Sequence, residues 1–146
     1  MKVSECMTRD VQVAQADQPI RKAAQFMLKA DAGSIPVCEG DRLVGMVTDR
    51  DLAVRALAEG LGPETPLRDI MTERVVCCFE DDDVESAAQK MNESKVRRLP
   101  IVSRSGEKLV GIVSLGDITQ SDAKLAEFAL EGVTATSSLH NQTAER

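Results

Sequence analysis

Aromatic side chains are nearly absent from this chain of 146 residues: they make up 2% of it, with no Trp and no Tyr. Proteins that bind single-stranded nucleic acid depend on aromatic platforms for base stacking, so the composition argues against that class. The formal net charge of −6 also repels phosphate backbones. We therefore expect no nucleic-acid partner.

Long apolar runs are missing as well. No window approaches the roughly 18 apolar residues of a membrane-spanning helix, and residues 1–10 lack the apolar segment of a secretory signal. We expect no membrane segment and a cytoplasmic location. Thiols stay reduced in that compartment, and the four Cys residues are scattered rather than framed in pairs.

Histidine occurs once, as His140 in the polar C-terminal stretch. That leaves no Cys–His pair for nucleophilic catalysis and no cluster of zinc ligands. Cys38 lies in an apolar run typical of a buried strand, whereas the adjacent Cys77 and Cys78 leave a redox-sensor class open. We expect no catalytic residues, no metal, no required cofactor and no enzymatic activity.

The chain contains an internal repeat: one sequence unit occurs twice. Met7-Thr8 recurs as Met71-Thr72, and the same shift of 64 residues carries Pro36 onto Pro100. After the proline the second copy gains two residues, and LVGMVTDRDL then aligns with LVGIVSLGDI. Insertions of this kind are tolerated at hairpin turns.

The domain boundaries follow from this repeat. We predict a first copy over residues 1–62, a second copy over 63–122, and a C-terminal helix with a polar tail over 123–146. The last helix is expected over Ala123 to Leu130, ended by Gly132. One copy alone would leave a face of its small sheet uncovered, which two copies can bury together.

Each copy has the same predicted order of helix, β-hairpin and helix. Apolar residues recur at helical spacing from Ile20 to Leu28 and from Val84 to Met91. Two short apolar runs follow each of these helices, joined by turn residues at Gly40-Asp41 and Ser105-Gly106. The predicted fold class is α+β, with two pseudo-symmetric repeats that each pack a small sheet with two helices.

Both hairpins end on a hydroxyl residue that is followed three positions later by an aspartate: Thr48 with Asp51, and Ser114 with Asp117. A hydroxyl at a helix start can donate to an anion, and a carboxylate there can accept from the vicinal hydroxyls of a ribose. The alternative is that Thr48 and Ser114 only cap their helices. The repetition in matching register favours a ligand.

Three cations, Lys95, Arg97 and Arg98, stand directly before the second Leu-Pro pair. Arg can grip phosphate oxygens through paired N–H donors, so this segment is a candidate phosphate clamp; a solvated basic loop is the alternative. The equivalent positions of the first copy are Gly33 and Ser34, which carry no charge. The two candidate sites should therefore differ, with phosphate favoured in the second copy.

These motifs resemble the tandem cystathionine-β-synthase (CBS) domain pair, also called a Bateman module. The resemblance covers about residues 3–122, and its most specific parts are VGMVTDRD, VGIVSLGD and VRRLPIV. It implies a flat module in which adenosine-type ligands lie in two clefts between the copies. The implied ligands are AMP, ADP, ATP, S-adenosylmethionine and dinucleotides such as NAD.

The resemblance also implies roles for individual residues. Asp51 and Asp117 would hold ribose hydroxyls, and Thr48 and Ser114 would reach the ribose or the phosphate. The implied phosphate contacts are Arg97 and Arg98, with Arg50 as a further candidate, and the implied apolar walls around adenine are Val11, Val75, Ile35, Pro36, Leu99 and Pro100.

The predicted function is that of a regulatory or sensor module. Binding of an adenine nucleotide would change the relative angle of the copies, and a second protomer in a homodimer or another protein would sense that change. The alternative is a scaffold or dimerisation module that binds no ligand.

Overall fold

The structure is a computed structural model that describes residues 1–105 and 107–140, with side chains described as far as Val133. These residues form two compact units. Unit A comprises Gln12–Val75 with residues 107–109, and unit B comprises Met1–Val11, Val76–Ser105 and residues 110–140. The sequence boundaries at residues 62 and 122 stay a prediction, because a packing unit and a sequence copy are different divisions of the chain.

Unit A contains a three-stranded sheet in the order β1-β2-β3, in which β1 runs parallel and β3 antiparallel to β2. A left-handed Gly40, with φ of +65°, makes the predicted hairpin turn between β2 and β3. The elements are β1 (Ala14–Gln15), α1 (Ile20–Ala30), β2 (Ser34–Glu39), β3 (Arg42–Thr48) and α2 (Asp49–Asp51), which continues as a π-helix over Leu52–Leu57.

Unit B repeats this plan with a sheet in the order β4-β5-β6. The predicted turn at Ser105-Gly106 lies partly outside the described residues, since Gly106 is not among them. The elements are β4 (Cys78–Phe79), α3 (Val84–Ser94), β5 (Arg98–Val102), β6 (Leu109–Ser114), α4 (Leu115–Ser121) and α5 (Ala123–His140). The predicted α+β fold with two small sheets and their helices is confirmed.

Each central strand carries a proline that a continuous sheet would exclude, because proline has no N–H for the ladder. Pro36 in β2 and Pro100 in β5 are both buried. The short first strands pair only with residues that follow each proline. In unit A, β1 pairs with Val37 and Cys38, and in unit B, β4 pairs with Ile101 and Val102. At the proline itself, the central strand has no partner on the side of the first strand. The missing N–H of proline therefore costs the sheet no hydrogen bond on that side.

The repeated Met-Thr pairs cover the outer edge of each sheet. Thr72 exchanges two backbone hydrogen bonds with Met46 of β3, at 2.8 and 3.0 Å, and Thr8 does the same with Ile112 of β6, at 2.8 and 2.9 Å. An uncovered edge strand is a site for aggregation. Each sheet thus takes its edge cover from the beginning of the other sequence copy.

Two expectations about the helices are wrong. Leu28, predicted on the buried face of α1, is 83% exposed, whereas Met27 and Ala23 are buried. The last helix does not end at Gly132 but runs on to His140. Gly132 instead lies against the backbone of Asn92 in α3, where a β-carbon would collide with it, so its small size serves packing rather than termination.

Candidate functional site

Thr48 and Asp51 form a reciprocal pair at the end of β3. The Thr48 hydroxyl oxygen accepts from the backbone N–H of Asp51 at 3.0 Å, and Asp51 Oδ2 accepts from the backbone N–H of Thr48 at 2.9 Å. This is a capping box, which satisfies two backbone donors at the start of α2. The capping role that the sequence left open is therefore present.

Ser114 and Asp117 form the same pair at the end of β6 in unit B. The Ser114 hydroxyl oxygen accepts from the backbone N–H of Asp117 at 3.1 Å, and Asp117 Oδ2 accepts from the backbone N–H of Ser114 at 2.8 Å. The two distances match those of unit A within about 0.1 Å. The repetition predicted from sequence is thus a repetition of geometry.

Capping uses only half of each aspartate. Oδ2 of Asp51 and of Asp117 is taken by the box, while Oδ1 accepts no hydrogen bond from any described residue. Both side chains are half-buried, so they remain reachable. Each hydroxyl uses its oxygen as an acceptor, which leaves its own proton free to be donated. Each pair can therefore offer one carboxylate oxygen and one hydroxyl donor to a ligand.

A second hydrogen bond joins each pair to the strand beside it. The backbone N–H of Leu115, the first residue of α4, donates to the carbonyl of Arg97 at 2.8 Å. This bond brings Arg97 and the following Arg98 next to Ser114. Both guanidiniums are exposed and make no hydrogen bond to a described side chain, so they are available to an anion.

Unit A has the corresponding bond with different side chains. The backbone N–H of Asp49 donates to the carbonyl of Gly33 at 2.9 Å, and the carboxylate Oδ1 of Asp49 accepts from the backbone N–H of Arg50 at 2.8 Å. The Arg50 side chain is exposed. The sequence analysis gave Asp49 no role, although its place between Thr48 and Arg50 could have marked it.

The residues predicted as apolar walls differ in exposure. Ile35 is 4% exposed and belongs to the core of unit A, and Leu99 is completely buried in the core of unit B. The prolines that follow them, Pro36 and Pro100, are buried too. These four side chains therefore support the strands that carry the hydroxyl residues, and direct contact with an adenine ring stays a prediction.

Val11 and Val75 are half-buried and follow the Met-Thr pairs by three residues. Each Met-Thr pair lies on the edge strand of the other sequence copy. Val75 therefore belongs to unit A, which contains Thr48, and Val11 belongs to unit B, which contains Ser114. Each valine therefore shares a unit with the hydroxyl–carboxylate pair of the opposite copy, which the sequence did not indicate.

A cavity of about 640 Å³ in unit A lies elsewhere. It opens at the start of β3, near the hairpin turn, whereas Thr48 is the last residue of that strand. None of the predicted site residues lines it. Its charged lining combines two guanidiniums and three carboxylates, namely Arg42, Arg68, Glu39, Asp69 and Glu73. This cavity therefore contains neither of the two hydroxyl–carboxylate pairs and does not coincide with the predicted site.

The helix after each pair also holds the Met-Thr segment of its unit. In unit A, Nη1 of Arg55 donates to the carbonyl oxygens of Ile70 and Met71 at 2.9 and 3.3 Å. In unit B, Cys6 lies beside Asp117 and Ser121. Burial raises the pKa of the Cys6 thiol, a hydrogen bond with Ser121 opposes the shift, and the carboxylate of Asp117 adds to it.

Three thiols, those of Cys6, Cys38 and Cys78, have raised pKa values and are poor nucleophiles. Burial raises the pKa of Cys38, and it raises that of Cys78 to about 11 despite the nearby Lys90. A thiol with a raised pKa is protonated at neutral pH and reacts slowly. Among the side chains of residues 1–105 and 107–133, no three His, Cys, Asp or Glu groups converge as metal ligands. No helix within residues 1–105 and 107–140 is long and apolar enough to cross a membrane.

Known proteins share the sequence pattern of this repeat. The family model of the CBS domain matches the chain twice, over residues 3–57 and 67–124. The CBS domain-containing protein YhcV of Bacillus subtilis is 40% identical over 134 residues, which cover 90% of this chain and 94% of YhcV.

Two solved structures with bound ligands share the fold. The crystal structure of CBSX2 in complex with AMP is 25% identical, with a TM-score of 0.73, and the match covers 85% of this chain and 97% of that one. The CBS domain pair of MJ0100, in complex with 5′-methylthioadenosine and S-adenosylmethionine, is 28% identical, with a TM-score of 0.71 over 83% and 98% of the two chains. This chain belongs to the CBS domain family and carries that domain twice.

Proposed function

We propose that this protein is a regulatory module that binds adenosine-type ligands through its two hydroxyl–carboxylate pairs. The observation that carries the proposal is the unused Oδ1 of Asp51 and of Asp117, each held in place by a capping box. A carboxylate fixed by its other oxygen cannot rotate away, so it is preorganised to accept hydrogen bonds from a ribose. The rest of each box supplies a hydroxyl donor.

The ligand class is supported by the relatives. CBSX2 is solved with AMP, and the MJ0100 pair with 5′-methylthioadenosine and S-adenosylmethionine. These compounds share an adenosine core and differ at the 5′ position, so the common recognition element is the nucleoside. The predicted binding set of hydroxyl, carboxylate and arginine residues fits that element, and the individual contacts, including those of Arg50, stay predictions.

The two pairs are expected to differ for phosphorylated ligands. Arg97 and Arg98 stand beside Ser114, and a guanidinium can bind phosphate oxygens with two N–H donors. AMP, ADP, ATP and NAD should therefore bind in unit B. Signalling would follow from a ligand-dependent change of conformation that a second protomer or another protein senses. Its location in the cytoplasm stays a prediction as well.

Isothermal titration with AMP, ATP, NAD and S-adenosylmethionine tests this proposal on the full chain. Asp117→Ala should weaken AMP binding more than Asp51→Ala, because only Asp117 has the two arginines beside it. A thermal-shift panel supports the titration, since a ligand at 100 times its dissociation constant adds about 2.7 kcal/mol to the free energy of unfolding. Failure of every adenosine ligand to bind would leave the scaffold alternative.

A scaffold role is the second candidate, and the helices of unit A favour it. Leu28 of α1 is 83% exposed and Leu57, at the end of the π-helix, is 77% exposed. Large apolar side chains on a helix surface are typical of contact with another protein. A second copy of this chain is the partner that we propose, in a homodimer that forms with or without ligand.

A further inference from the structure

The two hydroxyl–carboxylate pairs have opposite electrostatic surroundings. Six equivalent positions lie in or beside each pair: the left-handed residue that follows the preceding helix, the residue before the next strand and the first residue of that strand, and the first three residues of the next helix. In unit A these positions are 31, 33, 34 and 49–51; in unit B they are 95, 97, 98 and 115–117.

The charges at these positions are inverted between the units. Unit A has three carboxylates and one guanidinium, which leave two negative charges: Asp31, Asp49, Asp51 and Arg50. Unit B has three cations and one carboxylate, which leave two positive charges: Lys95, Arg97, Arg98 and Asp117. The capping boxes have the same hydrogen bonds in both units. A ligand would therefore meet nearly the same backbone geometry in both units, but a negative local charge in unit A and a positive one in unit B.

Asp49 contributes most directly to the difference in charge between the two units. Its carboxylate lies over Gly33, because a β-carbon built on Gly33 would be only 3.1 Å from Asp49 Oδ2. Gly33 is the equivalent of Arg97. The carboxylate of Asp49 therefore lies in tight contact with the position from which the Arg97 side chain starts in unit B. In unit B the residue equivalent to Asp49 is Leu115, which is uncharged.

Opposite fields would favour ligands of opposite charge. A 5′-phosphate beside Asp51 would approach a second carboxylate, that of Asp49, and among the six positions of unit A Arg50 is the one cation that offsets the repulsion. A like charge placed against a binding site reduces affinity for the wrong ligand. A nucleoside with a positive 5′ substituent, such as a sulfonium, would be attracted by the same two carboxylates.

We propose that the site of unit A takes an adenosine ligand that has no phosphate and carries a positive 5′ group, and that Asp49 sets this preference. Phosphorylated nucleotides bind in unit B, beside Arg97 and Arg98. The inference rests on the function proposed above and assigns a ligand charge to each of its two sites.

Titration calorimetry with AMP and with S-adenosylmethionine gives the first test. We expect one AMP per chain, lost in Asp117→Ala, and S-adenosylmethionine binding that is lost in Asp51→Ala. Circular dichroism of both variants checks that the loss of a cap has not unfolded them. The affinity for S-adenosylmethionine should fall as ionic strength rises, since exposed charges are screened by salt.

Asp49→Asn isolates the charge of the carboxylate. The amide oxygen can still accept from the backbone of Arg50, so the local structure is retained. S-adenosylmethionine should bind about two- to fivefold more weakly, the usual effect of one exposed charge pair. Asp17→Asn is the matched control: it removes the same charge from unit A at an exposed turn before α1, and it should leave the affinity unchanged.

The double variant Gly33→Arg/Asp49→Leu gives unit A the residues of unit B. Leucine removes the carboxylate that crowds position 33, so the arginine side chain has room. We expect the AMP stoichiometry to rise from one to two per chain.

The inference is overturned if wild-type protein binds two AMP with equal affinity, or if Asp51→Ala rather than Asp117→Ala removes AMP. Absence of binding by any adenosine ligand would overturn the proposed function as well, so the two failures are distinguishable.

Discussion

Met71 packs directly on Gly45 in the edge strand of unit A. A β-carbon built on Gly45 would lie 2.6 Å from Sδ of Met71 and 2.9 Å from the carbonyl oxygen of Thr72. Met7 and Gly111 make the same contact in unit B, with the same two distances to Met7 Sδ and to the Thr8 carbonyl oxygen. The glycine of each repeated Val-Gly pair therefore provides the space in which the Met-Thr pair of the other sequence copy packs.

Gly45→Ala and Gly111→Ala should each lower the free energy of unfolding by about 1–3 kcal/mol, the usual cost of overpacking. The carbonyl of Thr72 or Thr8, 2.9 Å from the added β-carbon, cannot move aside without loss of the hydrogen bond that it accepts from Met46 or Ile112. Gly62→Ala is the control, because no atom lies within 4 Å of its added β-carbon. Chemical denaturation measures all three, and equal stabilities for Gly45→Ala and Gly62→Ala would refute the packing argument.

The capping boxes can be tested apart from any ligand. Thr48→Ala and Ser114→Ala each remove one hydrogen bond to a helix N–H and should cost about 0.5–2 kcal/mol of stability. Thr48→Ser and Ser114→Thr exchange each residue for its equivalent in the other copy and should preserve the box. Thermal denaturation compares the four variants. If the exchanges destabilise as much as the alanine changes, the hydroxyl group is not what matters.

Self-association can be tested at Leu28. Leu28→Glu places a charge on the exposed apolar side of α1 and should shift a dimer towards monomer, while the monomer remains folded because Leu28 has little contact with the core. Lys22→Glu adds a carboxylate to another side of α1 and should leave the assembly unchanged. Light scattering after size-exclusion chromatography gives the mass; a wild-type monomer at all concentrations would rule out the homodimer.

Alkaline pH should destabilise the fold through Cys78. Burial holds the pKa of this thiol near 11, above its ordinary value of 9.0. The unfolded chain therefore loses this proton from about pH 9, while the folded chain keeps it until about pH 11. The free energy of unfolding should be insensitive to this group below pH 9 and fall between pH 9 and pH 11. Cys78→Ala should show a smaller decline in denaturant midpoint over that range; an identical decline would contradict the assignment.

Local features of this fold could be predicted from the sequence because they depend on near neighbours. The spacing of Thr48 to Asp51, repeated at Ser114 to Asp117, fixed a hydroxyl and a carboxylate three residues apart, and such a pair closes a capping box wherever a strand leads into a helix. The helices and hairpins follow from hydrophobic periodicity in the same way.

Long-range packing decided what the sequence could not. Ala24 and Ala88 are equivalent in the repeat, yet Ala88 is buried and Ala24 is exposed. The reason is α5, which packs on α3 in unit B, where Asn92 Nδ2 donates to the carbonyl of Phe128. The periodicity of apolar residues within α3 contains no information about α5, which begins 29 residues after α3 ends. The exchange of Met-Thr pairs between copies was hidden for the same reason.

Comparison of AMP with 2′-deoxy-AMP tests the central claim most directly. Only AMP has the two vicinal hydroxyls from which the carboxylate of Asp117 would accept hydrogen bonds. Removal of a hydrogen bond to a charged group costs about 1.5–3 kcal/mol. We predict that 2′-deoxy-AMP binds wild-type protein about ten- to a hundredfold more weakly than AMP, and that Asp117→Ala abolishes this difference. Equal affinities of the wild-type protein for the two nucleotides would contradict the account.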